Sequence, residues 1–584
     1  MTSTAVSDNP GNTSTAPRLH STQFWFFRLL PLGRTLPVLV LAAVSAFVAT
    51  VFAKQWWIPA LVATLVIVVA LTPRKGTNIA AWVGRKFTFA WQRFSNGSPV
   101  VNHSPFDVPL PDGGSYGMRW DGTRLITMLR IEAQPRTVVR LSPSGLLGDD
   151  MLPLPEIARC LDQFDISLAS IDIISTGSRS AGTGAVARAY ESILGPLPAV
   201  ANRTVWVVLR LDPLANAHAV DRRGGGPTGT LRAAGVATRR VANRLAARGL
   251  SATVLSATEM SQAVTQLTHR APLDEFVETS DSVEHDGLHH TTYRITPEGL
   301  GPKGIAEVWS APTVATTITV RLQRAPERRP GADGRIAVTA TARFVTREKP
   351  ITITSAGLRP LTGLQRRALL FGLPLATGVP VLPLERYLGE PDALDDLPMP
   401  IAGCGQLIGA DDSGQGVALP LVGRHVHRVE IIGSLLVAKQ VILRAIALGA
   451  GVVVHTTRHE QWRPMLAYID VPQALTLATW PAGSQQAGSY RFATMVVFDG
   501  TTPTGHYSDA TVVLLRPHGS EGGDFEPDVT LVEDEHTPNR VTVRTASGET
   551  GVHMVATPEE LIYVGARRPD GAQRHAGEPE PASA

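Results

Sequence analysis

Residues 37–53 (PVLVLAAVSAFVATVFA) and 57–71 (WIPALVATLVIVVAL) contain no charged side chain, and only Lys54-Gln55-Trp56 lies between them. An α-helix needs about 20 apolar residues to cross a bilayer, so both runs are short but adequate. With no room for a folded loop between them, they predict a membrane hairpin. The rest of the chain, about 500 residues, is then presented at one membrane face. A cleaved signal peptide ending near Val51-Phe52-Ala53 is the competing reading, and the second run following at once argues against it.

Charge assigns the face. Arg18, Arg28 and Arg34 precede the first run, Arg74, Lys75, Arg85, Lys86 and Arg93 follow the second, and the turn carries Lys54 alone. Positively charged flanks stay on the cytoplasmic side. Both termini and the bulk of the chain are therefore expected in the cytoplasm, under the plasma (inner) membrane. Trp56 and Trp57 stand where an interfacial aromatic belt would lie. Residues 78–94 (NIAAWVGRKFTFAWQRF) mix five aromatic side chains with Arg85, Lys86 and Arg93, the pattern of a helix lying along the headgroup layer.

The net charge of +3 hides an asymmetry. Residues 1–95 hold nine Lys or Arg and one acid, Asp8, which leaves −5 for residues 96–584. The basic part suits anionic lipid headgroups. The mildly acidic remainder argues against nucleic acid as a partner, because phosphate contacts need a basic surface. Cys160 and Cys404 are the only cysteines, giving neither a disulfide framework nor zinc spacing.

The expected architecture is α/β and α+β, a two-helix N-terminal transmembrane hairpin followed by a multi-part cytosolic domain. Residues 1–17 and 567–584 read as disordered tails, and 18–95 as the hairpin with its juxtamembrane helix. Residues 100–348 read as an α+β domain. Its strand candidates are 116–120 and 123–131 around Asp121-Gly122, then 166–174, 204–211, 291–295, 316–322 and 335–346. Its helix candidates are 155–164, 185–194 and 231–248. On the last, Arg240, Arg244 and Arg248 line one face, fit either to dock an acidic partner or lipid or to be solvated.

Residues 349–566 read as an α/β domain. A βαβ unit runs from strand 427–432 through helix 435–448 to strand 450–455. The turn after its first strand, Gly433-Ser434-Leu435-Leu436-Val437-Ala438-Lys439-Gln440, is a near miss to G-x-x-x-x-G-K-[ST]. Gly433 and Lys439 fall in place. Ala438 replaces the second glycine, and Gln440 the hydroxyl that would hold Mg²⁺. Strand 495–498 followed by Asp499 resembles a Walker B strand. A phosphate cradle needs inward backbone N–H groups, which glycines permit. Gly433, Lys439 and Asp499 are therefore expected not to function in cofactor binding. The unit is either a P-loop-like fold without nucleotide chemistry or a chance match.

Other chemistry is scarcer. His455, His459 and Glu460 do not form H-E-x-x-H, Asp411-Asp412-Ser413-Gly414 lacks the nucleophile elbow, and the segment with His285, His289 and His290 reads as an exposed loop. No catalytic residue, metal site or cofactor is expected.

The hairpin followed by Arg74-Lys75-Gly76-Thr77, the aromatic segment 82–94, and above all 405–462 (GQLIGADDSGQGVALPLVGRHVHRVEIIGSLLVAKQVILRAIALGAGVVVHTTRHEQW) resemble EccE. EccE is a membrane component of the mycobacterial and actinobacterial type VII (ESX) secretion apparatus. The resemblance implies a peripheral subunit projecting a cytosolic domain. It would join EccB-, EccC- and EccD-like subunits, of which the EccC-like ones supply ATPase activity. It carries over no catalytic residue. The expected function is thus a non-enzymatic structural subunit of the secretion complex; the alternative is a membrane-tethered nucleotide-binding or phosphoryl-transfer protein using Lys439 and Asp499.

Overall fold

Strands that alternate and strands that are apolar throughout make different sheets, and this chain builds one of each kind. The computed structural model describes residues 19–21, 32–52, 55, 57–71, 73–74, 77–78 and most of 103–565; the breaks in the last span are 110–113, 134–137, 144, 148–149, 182–183, 327–333, 349–352, 354, 356, 376–381, 383, 424, 479–492, 504–506, 508, 521–524 and 538. The expected tails and nearly all of the 78–94 segment lie outside the described residues.

Helices Leu32–Phe52 and Trp57–Leu71 occupy the two apolar runs and pack against each other. Among the described residues, however, no helix is long and apolar enough to cross a membrane. The second has 15 residues, about 22 Å at the helical rise, against a hydrocarbon core of about 30 Å. The first has 21 but opens on Leu32-Gly33-Arg34. The expected hairpin is thus met as a helix pair and not as two demonstrated spans.

The first sheet is antiparallel throughout. Its central order is Leu288–Ile295, Ile336–Thr346, Ala315–Arg324, Ile166–Ser178, Asn202–Leu211 and Leu125–Glu132. Helix Gly226–Ala246 covers one face with Ala233, Ala237, Val241 and Leu245, spaced four apart so that they share a side. Helix Ala257–Leu267 and residues 369–375 cover the other, against Ile126, Met128, Ile174 and Trp206. His20–Ser21 pairs with Tyr387–Gly389, tying the segment before the helix pair to this sheet.

The second sheet is mixed. Its parallel part runs Leu475–Leu477, Val452–Thr456, Met495–Asp499, Thr511–Arg516, Arg428–Ile432 and Val529–Glu533. Val452–Val454 and Met495–Phe498, in the interior of this part, are buried on both faces, which explains their unbroken apolar runs. Helix Leu435–Ala447 is buried almost all round. Antiparallel strands Arg540–Thr545, Gly548–His553, Gln406–Ala410 and Gly416–Leu419 extend the sheet. So do Val139–Ser142 and Gly145–Leu147, so the span 100–348 contributes to both sheets.

One sequence reading is overturned here. The histidine segment is not a loop but a hairpin, Val283–His285 and Leu288–Ile295. Asp286 and Gly287 turn it with φ of 46° and 69°, the positive pair that two-residue hairpin turns require. His290 is consequently buried in the sheet.

Candidate functional site at the carboxyl edge of the parallel strands

In open α/β sheets ligands gather beyond the carboxyl ends of the strands. The register brings Thr456, Asp499, Leu515, Ile431 and Leu531 level at that edge, with Ile432 and Val532 paired one residue beyond. The three positions singled out in the sequence all lie there or one helical turn beyond. Strand Thr511–Arg516 separates Gly433 from Asp499, about 10 Å across two strand spacings.

Gly433 ends the first strand with φ of 152°, and its N–H donates to the Arg516 carbonyl at 2.9 Å. A Cβ here would lie 2.6 Å from Glu533 Cβ and Oε2, so conformation and space both call for glycine. Ser434 caps helix Leu435–Ala447, its hydroxyl accepting from the Val437 N–H. The Ser434 N–H donates to Glu533 Oε2 at 2.5 Å. A carboxylate thus stands at the helix N-terminus, where free N–H groups and the helix dipole favour an anion. His518 is 4.0 Å from Glu533 and 3.4 Å from Glu535.

Lys439 points away from this turn. Its ammonium donates to the Gln461 carbonyl at 2.5 Å and lies 5.8 Å from the centre of the Trp462 ring. Burial, followed by repulsion from Arg458, holds its pKa below the usual lysine value, against the pull of Asp499. Gln440, at the hydroxyl position, is buried with Oε1 unpartnered.

Asp499 is wholly buried. It accepts from Thr456 Oγ1 at 2.7 Å, Trp462 Nε1 at 2.9 Å and Arg458 Nε at 3.2 Å, with a second Arg458 nitrogen bonded to its other oxygen. Burial opposes its ionisation; hydrogen bonds from Arg458, Trp462 and Thr456 outweigh that and keep its pKa below the usual range. The sequence brings Lys439 and Asp499 to one neighbourhood, but each is engaged by a different group.

Arg444, one turn past Lys439, was not legible in the sequence. It shares a buried ion pair with Glu560 (2.7 and 3.0 Å) and donates to the carbonyls of Leu407, Ile408 and Val555. It therefore ties this helix to strand Gln406–Ala410 and helix Pro558–Val564. Nothing in its spacing signals this, because its partners lie 36 to 116 residues away.

Three other candidates are engaged within the chain. His455 stacks on Phe498 at 5.1 Å, Glu460 pairs with Arg463, and Asp411 caps its own turn through Ser413 and Gln415. No group of three or more metal-ligating side chains occurs among the described residues. Both cysteines are free and buried. Arg244 and Arg248 clamp Glu156, and Arg240 reaches Asp165; that arginine face is committed within the chain.

Residues 199–295 match the family model described as the putative type VII ESX secretion system translocon, EccE. This segment lies in the first sheet, away from the 405–462 stretch. The ESX-1 secretion system protein EccE1 of Mycolicibacterium smegmatis is 26% identical over 400 residues, covering 68% of this chain and 76% of that protein. EccE1 of Mycobacterium tuberculosis is 29% identical over 202 residues, covering 34% and 42% respectively. The ESX-5 protein EccE5 of Mycobacterium marinum is 25% identical over 361 residues, covering 58% and 85%. By these matches the chain is similar to EccE proteins of ESX secretion systems, through residues 199–295 and through alignments that cover up to 68% of its length.

Proposed function

We propose that this chain is a non-enzymatic subunit of the type VII (ESX) secretion complex at the inner membrane, with both termini and its two sheets on the cytoplasmic side. The observation that carries the reading is the family match together with the engaged state of the polar groups that catalysis would need. Lys439, Asp499, Arg444 and the arginine face of helix Gly226–Ala246 are all bound within the chain. In this reading the helix pair is the anchor. Leu39, Leu41, Phe47, Val51, Leu61, Leu65 and Val68 are exposed on it, an apolar surface that lipid or neighbouring membrane helices would cover. Ser45 and Ala49, at four-residue spacing with Ala53 next in series, offer small side chains for such a helix contact. The basic flanks would meet anionic headgroups, and the sheets would dock on EccB-, EccC- and EccD-like subunits.

Deleting residues 1–95 is expected to abolish co-purification with the assembled complex. A fragment of residues 96–584 that still co-purifies stoichiometrically would overturn the anchor. Stoichiometric binding of labelled ATP by the purified chain would favour the nucleotide reading instead.

A further inference from the structure

Among the described residues outside the carboxyl edge, the exposed apolar side chains of Tyr468 and Ile562 have nothing to name an occupant. The carboxyl edge is different, because three independent parts of it are each filled from inside the chain. We infer that Glu533 is a built-in substitute for a phosphate: its carboxylate seats on the N-terminus of helix Leu435–Ala447 and closes a P-loop-like turn against nucleotides. The inference rests on the non-enzymatic reading above and supplies its physical cause.

The argument starts from the glycine. In a phosphate-binding turn the residue after the first strand is glycine so that an anion can approach the backbone closely. Gly433 is kept open in the same way, yet the approaching atoms belong to Glu533, within 2.6 Å of where a Cβ would stand. The Ser434 N–H that would face a phosphate oxygen is given to Glu533 Oε2. Glu533 ends the strand directly beside the turn, as Ile432 pairs with Val532, so its position is imposed by the sheet rather than by a mobile loop.

The other two parts agree. A lysine that served a phosphate would reach toward the turn, and Lys439 reaches the Gln461 carbonyl instead. A carboxylate that served a metal would keep an oxygen free, and Asp499 has both oxygens bonded to Arg458, one of them also to Trp462 and Thr456. A nucleotide would have to displace Glu533 while its own phosphates repelled that carboxylate. The domain therefore holds one state at this edge whatever the nucleotide concentration, as suits a docking module.

The test uses the full chain in detergent, with melting temperature and equilibrium dialysis of inorganic phosphate as readouts. The parent chain should show no shift with about 10 mM phosphate or MgATP, about 10 to 100 times a typical metabolite-site Kd. Glu533→Ala should open the seat, so that phosphate raises its melting temperature and binds about one equivalent per chain. A folded Glu533→Ala chain as indifferent to phosphate as the parent overturns the inference and leaves the non-enzymatic reading standing. MgATP binding and turnover by the parent would sink both. If alanine loosens the fold, Glu533→Gln keeps the length and drops the charge. It should lower the melting temperature by about 2 °C through the lost charge–dipole attraction, and a Gln chain at least as stable as the parent counts against the inference.

Discussion

The two sheets bury charge in opposite ways. In the first, Asp172 sits at the centre of a sheet face, clamped by Arg210 at 3.1 Å and by Arg321 at 2.8 Å through two nitrogens. The same arginines, with Arg119, donate onward to the carbonyls of Phe371, Pro374 and Leu375. The charge there fastens a covering segment to the sheet. In the second, apart from the Arg516–Glu430 pair on its strands, charge sits at helix and strand ends: Glu533 on a helix N-terminus, Asp499 at a strand terminus, Arg444 joining a helix to an edge and to helix Pro558–Val564. An antiparallel face offers backbone polar groups only to its neighbours, whereas parallel strands align their carboxyl ends and leave an edge to be closed. The difference teaches that the carboxyl edge of a parallel sheet, where ligands gather in other proteins, can be satisfied by groups of the same chain.

The sharpest break of this contrast is removal of one partner from each buried cluster. Arg444→Ala would leave Glu560 buried and unpaired, and Asp172→Asn would leave two arginines facing each other. Each should cost about 3–5 kcal/mol by chemical denaturation. Hydrogen exchange should localise the first loss to the second sheet and the second to the first. Global, indistinguishable loosening in both variants would mean the sheets are one cooperative unit.

Acid sharpens the comparison next. Arg223, by hydrogen bonding, pulls Asp165 down to about 2, and Arg244 does the same in direction for Glu156. Burial opposes ionisation of Asp172, yet Arg321 and Arg210 hold it below the ordinary value. Carboxyl groups with depressed folded pKa values contribute stability that is complete above the unfolded value of about 4 and is lost as pH falls toward the folded one. Stability should therefore be level from about pH 7 to 5 and decline between about 4 and 2. Asp165→Asn should lose about 1 kcal/mol at neutral pH and flatten part of that decline. An unchanged slope would show that the arginine clamps are energetically idle.

The smallest expected effect is that of Lys439→Ala. It forfeits one hydrogen bond to a backbone carbonyl, about 1 kcal/mol, and should leave secretion intact because nothing at the turn depends on the ammonium. Loss of secretion with normal complex assembly would reopen the nucleotide reading.

Much of the local structure was legible. Helix 185–194 was read with the bounds the structure has, Ala185–Leu194. The βαβ unit, the Asp121-Gly122 turn and the strand ending in Asp499 were read within a few residues. The same Asp-Gly signal stands at Asp286-Gly287, but the flanking histidines and acids mask it by reading as polar loop. At the site, the sequence placed Gly433, Lys439 and Asp499 in the correct order but was silent on Glu533, 99 residues beyond Ser434.

Periodicity, turn residues and an incomplete glycine pattern are properties of neighbouring residues, and from them alone follow the helix pair, the strand types and the departure of residues 433–440 from the regular phosphate-binding spacing. Tertiary structure decided which distant strands became neighbours: residues 139–147 joining the second sheet, His20–Ser21 pinning beside Tyr387, and Glu533 arriving over Gly433. The physical reason is that a buried polar group must find a partner wherever packing brings one. Which partner that is depends on sheet register and is not encoded in the spacing around either residue.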